Sequence, residues 1–243
     1  MSNIPYRNVG FFFVFLMLLV VAGFTPRIAG TPFFGYFGQI ANAGRVPAVI
    51  HAHAVAALTW FALLALQAFL IRANRRDLHR AIGKSSVVIA AMLFVTSLLV
   101  MKHFYTTAIE TFPRDAVLSA LAQSFTGLTL FVLFFFLALK NRRNIYRHVA
   151  YMVAAALATA TPGLARLGLY VVGGLPGILL VVALIYATLL SFLLHAKIGL
   201  RQPVWRGPYP PIIALFLVGH AMDFVGRQTP AWLWFADKIV SIW

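Results

Sequence analysis

The sequence predicts an all-α integral membrane protein with about seven transmembrane helices. Of its 243 residues, 62% are hydrophobic and 10% are charged, and the mean hydropathy is +0.89. A soluble domain has roughly 45–50% apolar and about 25% charged residues. A surface this poor in charge needs lipid as its main solvent.

Seven apolar runs reach the roughly 20 residues that a helix needs to cross the hydrocarbon core. Pro47, Pro176 and Pro210 precede or begin three of them, at positions where the missing N–H costs nothing. Pro162-Gly163 lies inside the fifth run and predicts a kink. A Trp-rich segment, 230–243, is predicted to lie in the membrane interface, completing a single domain over 1–243. The predicted spans are 9–25, 48–71, 85–103, 117–139, 147–170, 177–196 and 210–226.

Basic residues indicate the orientation of these spans. Thirteen of the 20 Lys and Arg residues fall on the side of the N-terminus. Because basic loops stay in the cytoplasm, this bias predicts an N-in/C-out protein of the bacterial inner membrane. The net charge of +15 therefore indicates topology and contact with anionic lipid head groups, not nucleic-acid binding. The thirteen are Arg7, Arg72, Arg75, Arg76, Arg80, Lys84, Lys140, Arg142, Arg143, Arg147, Lys197, Arg201 and Arg206.

Two of the basic turns resemble each other. Asn-Arg-Arg-Asp-Leu-His-Arg at 74–80 is echoed by Asn-Arg-Arg-Asn-Ile-Tyr-Arg at 141–147. Each is the inner turn of a helical hairpin, so spans 2–3 and 4–5 are candidates for a parallel repeat. The alternative is that topology alone demands arginine in both turns.

A longer pattern extends from these turns into the neighbouring spans. It comprises His51-Ala-His53, Trp60, Gln67 and the element Leu-His-Arg-x-x-Gly at 78–83, followed by Arg147-His148 and Arg166. Over about 51–170 the chain resembles a widespread bacterial family of multi-pass membrane proteins of unknown function. The resemblance implies a multi-pass fold and its topology, and implies no activity.

Three histidines from separate spans are predicted at a similar depth near the outer face. They are His53, His103 and His220, and intramembrane polar groups are functional candidates by default. His51 lies two residues before His53, so on one helix the two point about 200° apart and cannot share one ion. His53 is the better candidate of the pair.

Other polar and aromatic residues extend this predicted cofactor site. His53, Trp60 and Gln67 are spaced by seven and share a helix face, which should look into the bundle. Asp223 lies three residues after His220 and is expected to orient its imidazole. Arg166 lies near the outer end of its span and could neutralise an anionic ligand.

Three functions fit these residues, and whether the protein is an enzyme stays open. Two histidines could hold a b-type haem or another redox centre in the Phe-rich bundle. His53, His103, His220 and Asp223 could instead bind a divalent metal, making a zinc-dependent intramembrane hydrolase. The remaining alternative has no cofactor: a structural or assembly subunit, or a lipid-binding scaffold, of a larger membrane complex.

The basic turns offer a second kind of site. Their side chains are either solvated or bind phosphate and lipid head groups, and Asp77 is expected to pair with an arginine at little net energy. The absence of cysteine excludes thiolate metal sites and c-type haem. The candidate head-group ligands are Arg75, Arg76, His79, Arg80, Arg142, Arg143 and Arg147.

Overall fold

The computed structural model describes residues 6–25, Tyr36 and 46–243, and within them all regular structure is helical. A π-helical turn at His195–Gly199 and a 3₁₀ turn at Gly226–Gln228 connect the later helices. The α-helices are α1 (Val9–Gly23), α2 (Ala48–Arg72), α3 (Arg76–Gly83), α4 (Ser85–Ala108), α5 (Arg114–Lys140), α6 (Ile145–Val171), α7 (Gly174–Leu194), α8 (Tyr209–Phe224) and α9 (Pro230–Val240).

The all-α, multi-pass prediction is confirmed, and each predicted span corresponds to one helix. Six helical stretches among the described residues are long and apolar enough to cross a membrane. The remaining predicted span, 9–25, corresponds to α1, which has 15 residues and therefore a length of about 22 Å. The turn that follows α2 is not a simple loop, because residues 76–83 form the short helix α3 and lead almost directly into α4.

The most buried of the spanning helices is α6. It continues through Pro162, and its inward faces carry alanine and glycine, which let neighbouring helices approach closely. At Gly163 the backbone of α6 touches Gly23 of α1, where an added Cβ would overlap a carbonyl oxygen. The same kind of contact joins Gly168 to Gly177 of α7. These glycines set α6 between α1 and α7.

Aromatic packing joins α2 to α5 in the core. Trp60 is fully buried, with its ring 5.2 Å from that of Phe131 and 5.5 Å from that of Phe135. A second core cluster joins α4 and α5 to the C-terminal helix α9. There the Trp232 indole donates to the Leu118 carbonyl at 2.9 Å. The interfacial segment predicted at 230–243 is thus a helix packed on the bundle.

One end of the bundle gathers the starts of α1, α4, α6 and α8 and the ends of α2, α5 and α7, and we call it the basic end. Contacts across it include a hydrogen bond from Arg72 to Asn8 at 2.6 Å and the tilted Tyr146 and Tyr209 rings, whose centres are 6.0 Å apart. The thirteen basic residues expected on the N-terminal side lie here. Asp77 pairs with Arg75 at 3.5 Å with both side chains exposed, as expected for a weak surface pair.

Candidate functional site

His53 lies on α2 near the end of the bundle opposite the basic end. Its Nδ1 atom shares a 3.3 Å hydrogen bond with the hydroxyl of Thr96 on α4. Arg166 of α6 is close enough to interact with the imidazole electrostatically. The Arg166 guanidinium sits 4.5 Å from the centre of the Phe24 ring. His53 of α2 and Arg166 of α6 are therefore brought together, beside Thr96 of α4.

The helix stripe of His53, Trp60 and Gln67 faces the bundle, as predicted, but does not form one site. His53 and Gln67 are 14 residues apart, about 21 Å along α2. Gln67 lies at the basic end, where the His79 Nδ1 atom and the Gln67 carbonyl oxygen share a 3.2 Å hydrogen bond. When the Gln67 side-chain amide is oriented so that its oxygen accepts and its nitrogen donates, the nitrogen donates to the His79 carbonyl oxygen at 2.9 Å. Gln67 thus shares a helix face with His53 but lies at a different depth, so the structure does not bring the two side chains together.

His220 lies on α8, and its imidazole has a different hydrogen-bond partner from the predicted one. A 2.8 Å hydrogen bond joins its Nδ1 atom to the Tyr186 hydroxyl of α7. The orienting partner is therefore Tyr186 and not Asp223. Asp223 and His220 instead line one small cavity together with residues of α5 and α6.

The predicted metal site at His53, His103, His220 and Asp223 gains no support from the structure. Within the described ranges, no group of three or more His, Asp or Glu side chains could hold a metal ion. His103 is partly buried near the end of α4, and its carbonyl accepts from Thr107 at 2.9 Å. His53 and His220 have separate partners on separate helices.

At the basic end the predicted head-group arginines are all solvent-accessible. His79 is an exception among these residues, because it lies on α3 and is partly buried instead of lying in a solvated loop. His148 of α6 is hydrogen-bonded through Nδ1 to the Ala138 carbonyl at 2.9 Å. Each hairpin thus ties a histidine of its later helices to a carbonyl of its first helix. The two histidines do not align in the echo of 74–80 by 141–147, where Tyr146 stands opposite His79. The exposed residues are Arg75, Arg76, Arg80, Arg142, Arg143 and Arg147.

A groove of about 550 Å³ opens at the basic end between the start of α1 and the end of α7. Its polar lining comes from Tyr6, Arg7 and Asn8 before α1, and from Ser191 and His195 at the end of α7. The Tyr6 and His195 rings are 5.5 Å apart and connect the two walls.

The groove also has an apolar lining. Phe12 of α1 and Phe192 of α7 face each other with ring centres 5.2 Å apart. Val9, Gly199 and Leu200 complete the lining. The groove was not predicted from the sequence, in which Arg7 counted only towards the topology and His195 was assigned no role. The sequence did contain one indication of the groove. Arg7 and His195 are polar residues that border two different spans at the same side of the membrane.

Comparisons of the chain with protein-family models, with curated proteins and with solved structures give no match. The fold and the residue geometry are therefore the basis for a functional proposal.

Proposed function

We propose that this protein binds an amphiphile with an anionic head group, a phospholipid of the inner leaflet, in the groove between α1 and α7. The observation that carries the proposal is that one groove is lined both by cationic and polar residues and by aromatic residues. Its volume of about 550 Å³ lies within the roughly 300–1,000 Å³ of known ligand sites.

The polar lining suits a phosphate or carboxylate. Arg7 supplies a permanent positive charge, and Asn8 and His195 supply further hydrogen-bonding groups. None of the groove's lining residues is acidic. An arginine fork binds a phosphate through paired, charge-assisted hydrogen bonds, so the head group is expected to lie against Arg7.

The apolar lining suits acyl chains. Phe12 and Phe192 line the groove with apolar ring surface, against which the chains of a lipid would pack. Exposed arginines around the basic end, such as Arg142 and Arg143, would raise the local concentration of anionic lipid. This proposal places the basic end at the cytoplasmic face of a bacterial inner membrane, and makes the protein a lipid-binding scaffold of a larger complex.

The test compares lipids that differ in head-group charge. The full chain is purified in detergent, and retained lipid is measured by native mass spectrometry after adding phosphatidylglycerol or phosphatidylcholine. We expect preferential retention of phosphatidylglycerol, and about tenfold weaker retention in Arg7→Gln, since one charge-assisted hydrogen bond is removed. Lys102→Gln, which removes a positive charge from an exposed side chain at the opposite end of the bundle, is the matched control. Equal retention of the two lipids would contradict the proposal.

A haem or other redox centre is the second candidate, and one observation favours it. Thr96 is hydrogen-bonded to the Nδ1 atom of His53, and Tyr186 to the Nδ1 atom of His220. The Nε2 atom of each histidine has no hydrogen-bond partner among the described residues. Histidines that bind iron are commonly oriented in this way. An absorption spectrum of protein expressed with ample haem tests this candidate: a Soret band lost in His220→Ala supports it, and the absence of the band contradicts it.

A further inference from the structure

Pro162 leaves a backbone acceptor inside the membrane without its usual donor. Proline has no N–H, so the Ala158 carbonyl four residues earlier cannot receive its helical hydrogen bond. The helix α6 nevertheless continues through this position to Val171. A freed carbonyl is costly in lipid and persists where another group satisfies it or where it lines a polar cavity.

Ala158 lines a small cavity between α5, α6 and α8, to which both polar and apolar residues contribute. The cavity has a volume of about 20 Å³, enough for a single water-sized particle. Asp223 of α8 also lines it. The Asp223 side chain is hydrogen-bonded to Thr126, but its Oδ1 atom is buried with no hydrogen-bond partner among the described residues. This atom and the Ala158 carbonyl, which Pro162 deprives of its usual helical donor, border the same small space.

The other polar groups of the cavity also carry oxygen atoms that can serve as ligands of a cation. Thr126 of α5 lies beside the Asp223 carboxylate. The Thr161 hydroxyl donates to the Leu157 carbonyl at 2.9 Å, which leaves its oxygen lone pairs available. Gln123 adds an amide oxygen. Hard cations bind oxygens of this kind, and freed carbonyls of interrupted membrane helices are known ligands of Na⁺.

The charges around the cavity favour a single positive charge. Asp223 is its only acidic lining residue, so a monovalent cation would be neutralised and a divalent cation would leave an excess charge in lipid. The His220 Nδ1 atom is occupied by Tyr186. Arg227, beyond the end of α8, interacts with Asp223 electrostatically and would weaken the site without closing it.

We propose that this cavity is a binding site for a monovalent cation of sodium size, held by the Asp223 carboxylate, the Ala158 carbonyl and the hydroxyls of Thr126 and Thr161. The bound cation would join α5, α6 and α8 near the end opposite the basic end. This site is independent of the lipid groove.

The experiment measures binding of radioactive ²²Na⁺ to the full chain in lipid nanodiscs, with unlabelled NaCl or choline chloride as competitor. Asp223→Asn removes the charge, and we expect binding about 30-fold weaker or lost. Gly127→Ala keeps every polar group, but its Cβ would lie 3.6 Å from the Ala158 oxygen and fill the cavity. It too should lose binding. Asp115→Asn, an exposed carboxylate on α5, is the control and should bind normally.

A thermal unfolding series in NaCl and choline chloride provides the second readout. Sodium should raise the midpoint of the unaltered protein and of Asp115→Asn, but not of the two cavity variants. No ²²Na⁺ binding by the unaltered protein would overturn the proposal, as would normal binding by both cavity variants. A midpoint that responds to pH but not to sodium would assign a proton to Asp223 in place of the cation and would equally overturn it.

Discussion

Gly23 of α1 and Gly163 of α6 are in direct backbone contact, and a Cβ added at Gly23 would overlap the Gly163 carbonyl oxygen. Lipid gives helices no hydrophobic reason to associate, so close packing has to supply the attraction. The contact positions α1 beside α6, and α1 in turn forms one wall of the groove at the basic end.

Gly23→Ala should therefore destabilise the bundle. The obstacle is backbone, which cannot swing aside, so we expect a loss of about 1–3 kcal/mol in the free energy of unfolding. Unfolding in mixed detergent micelles measures it. Gly127→Ala in sodium-free buffer is the matched control, because its Cβ meets only an ordinary contact at 3.6 Å. Equal stability of the two variants would show that the contact at Gly23 can relax.

Trp60 should be the most costly single truncation in the core. It is fully buried against two phenylalanine rings of α5. Trp60→Ala is expected to cost roughly 3–5 kcal/mol through lost packing. Trp60→Phe should cost less, since it retains aromatic packing and removes an indole N–H without a partner among the described residues. Leu66→Ala, on the lipid-exposed side of α2, should change the same unfolding free energy by at most about 0.5 kcal/mol.

Tyr6 should make the protein sensitive to alkaline pH. Burial raises the pKa of its hydroxyl from 10.0 to about 12. The folded state thus holds this proton more tightly, so its contribution to stability is complete below about pH 10 and is lost as the pH rises to about 12. Across that range the unfolding midpoint of Tyr6→Phe should fall less than that of the unaltered protein. Tyr170→Phe, at a residue that is 52% exposed, should behave like the unaltered protein.

Trp232 should hold α9 on the bundle. Its ring is buried and its indole donates to the Leu118 carbonyl, whereas Trp234 on the same helix is 65% exposed. Trp232→Ala is expected to lower the free energy of local opening of α9 by roughly 3–5 kcal/mol. The change would be seen as faster amide hydrogen exchange in Pro230–Val240. Trp234→Ala should leave the exchange rates nearly unchanged. Comparable exchange in both variants would mean that Trp232 does not anchor the helix.

Apolar run length and the positions of Lys and Arg were enough to predict the membrane class, the long apolar helices among the described residues and the basic end. These properties are local, because a run of about 20 apolar residues crosses a bilayer whatever its neighbours are. The face of α2 that carries Trp60 was also predictable, since seven-residue spacing places side chains on one face of any helix. The fold of Arg76–Gly83 was not, because its charged residues resemble a solvated turn.

Tertiary packing alone established which polar groups meet. Gln67 is hydrogen-bonded to His79 and is distant from His53. The residue that orients the His220 imidazole is Tyr186 and not Asp223. The groove beside Arg7 and the cavity beside Ala158 each combine residues far apart in the chain. The reason is that helices of equal hydropathy can pack in many orders and rotations. Contacts such as Gly23 with Gly163 and Gly168 with Gly177 select one arrangement, and no local pattern specifies which helices they join.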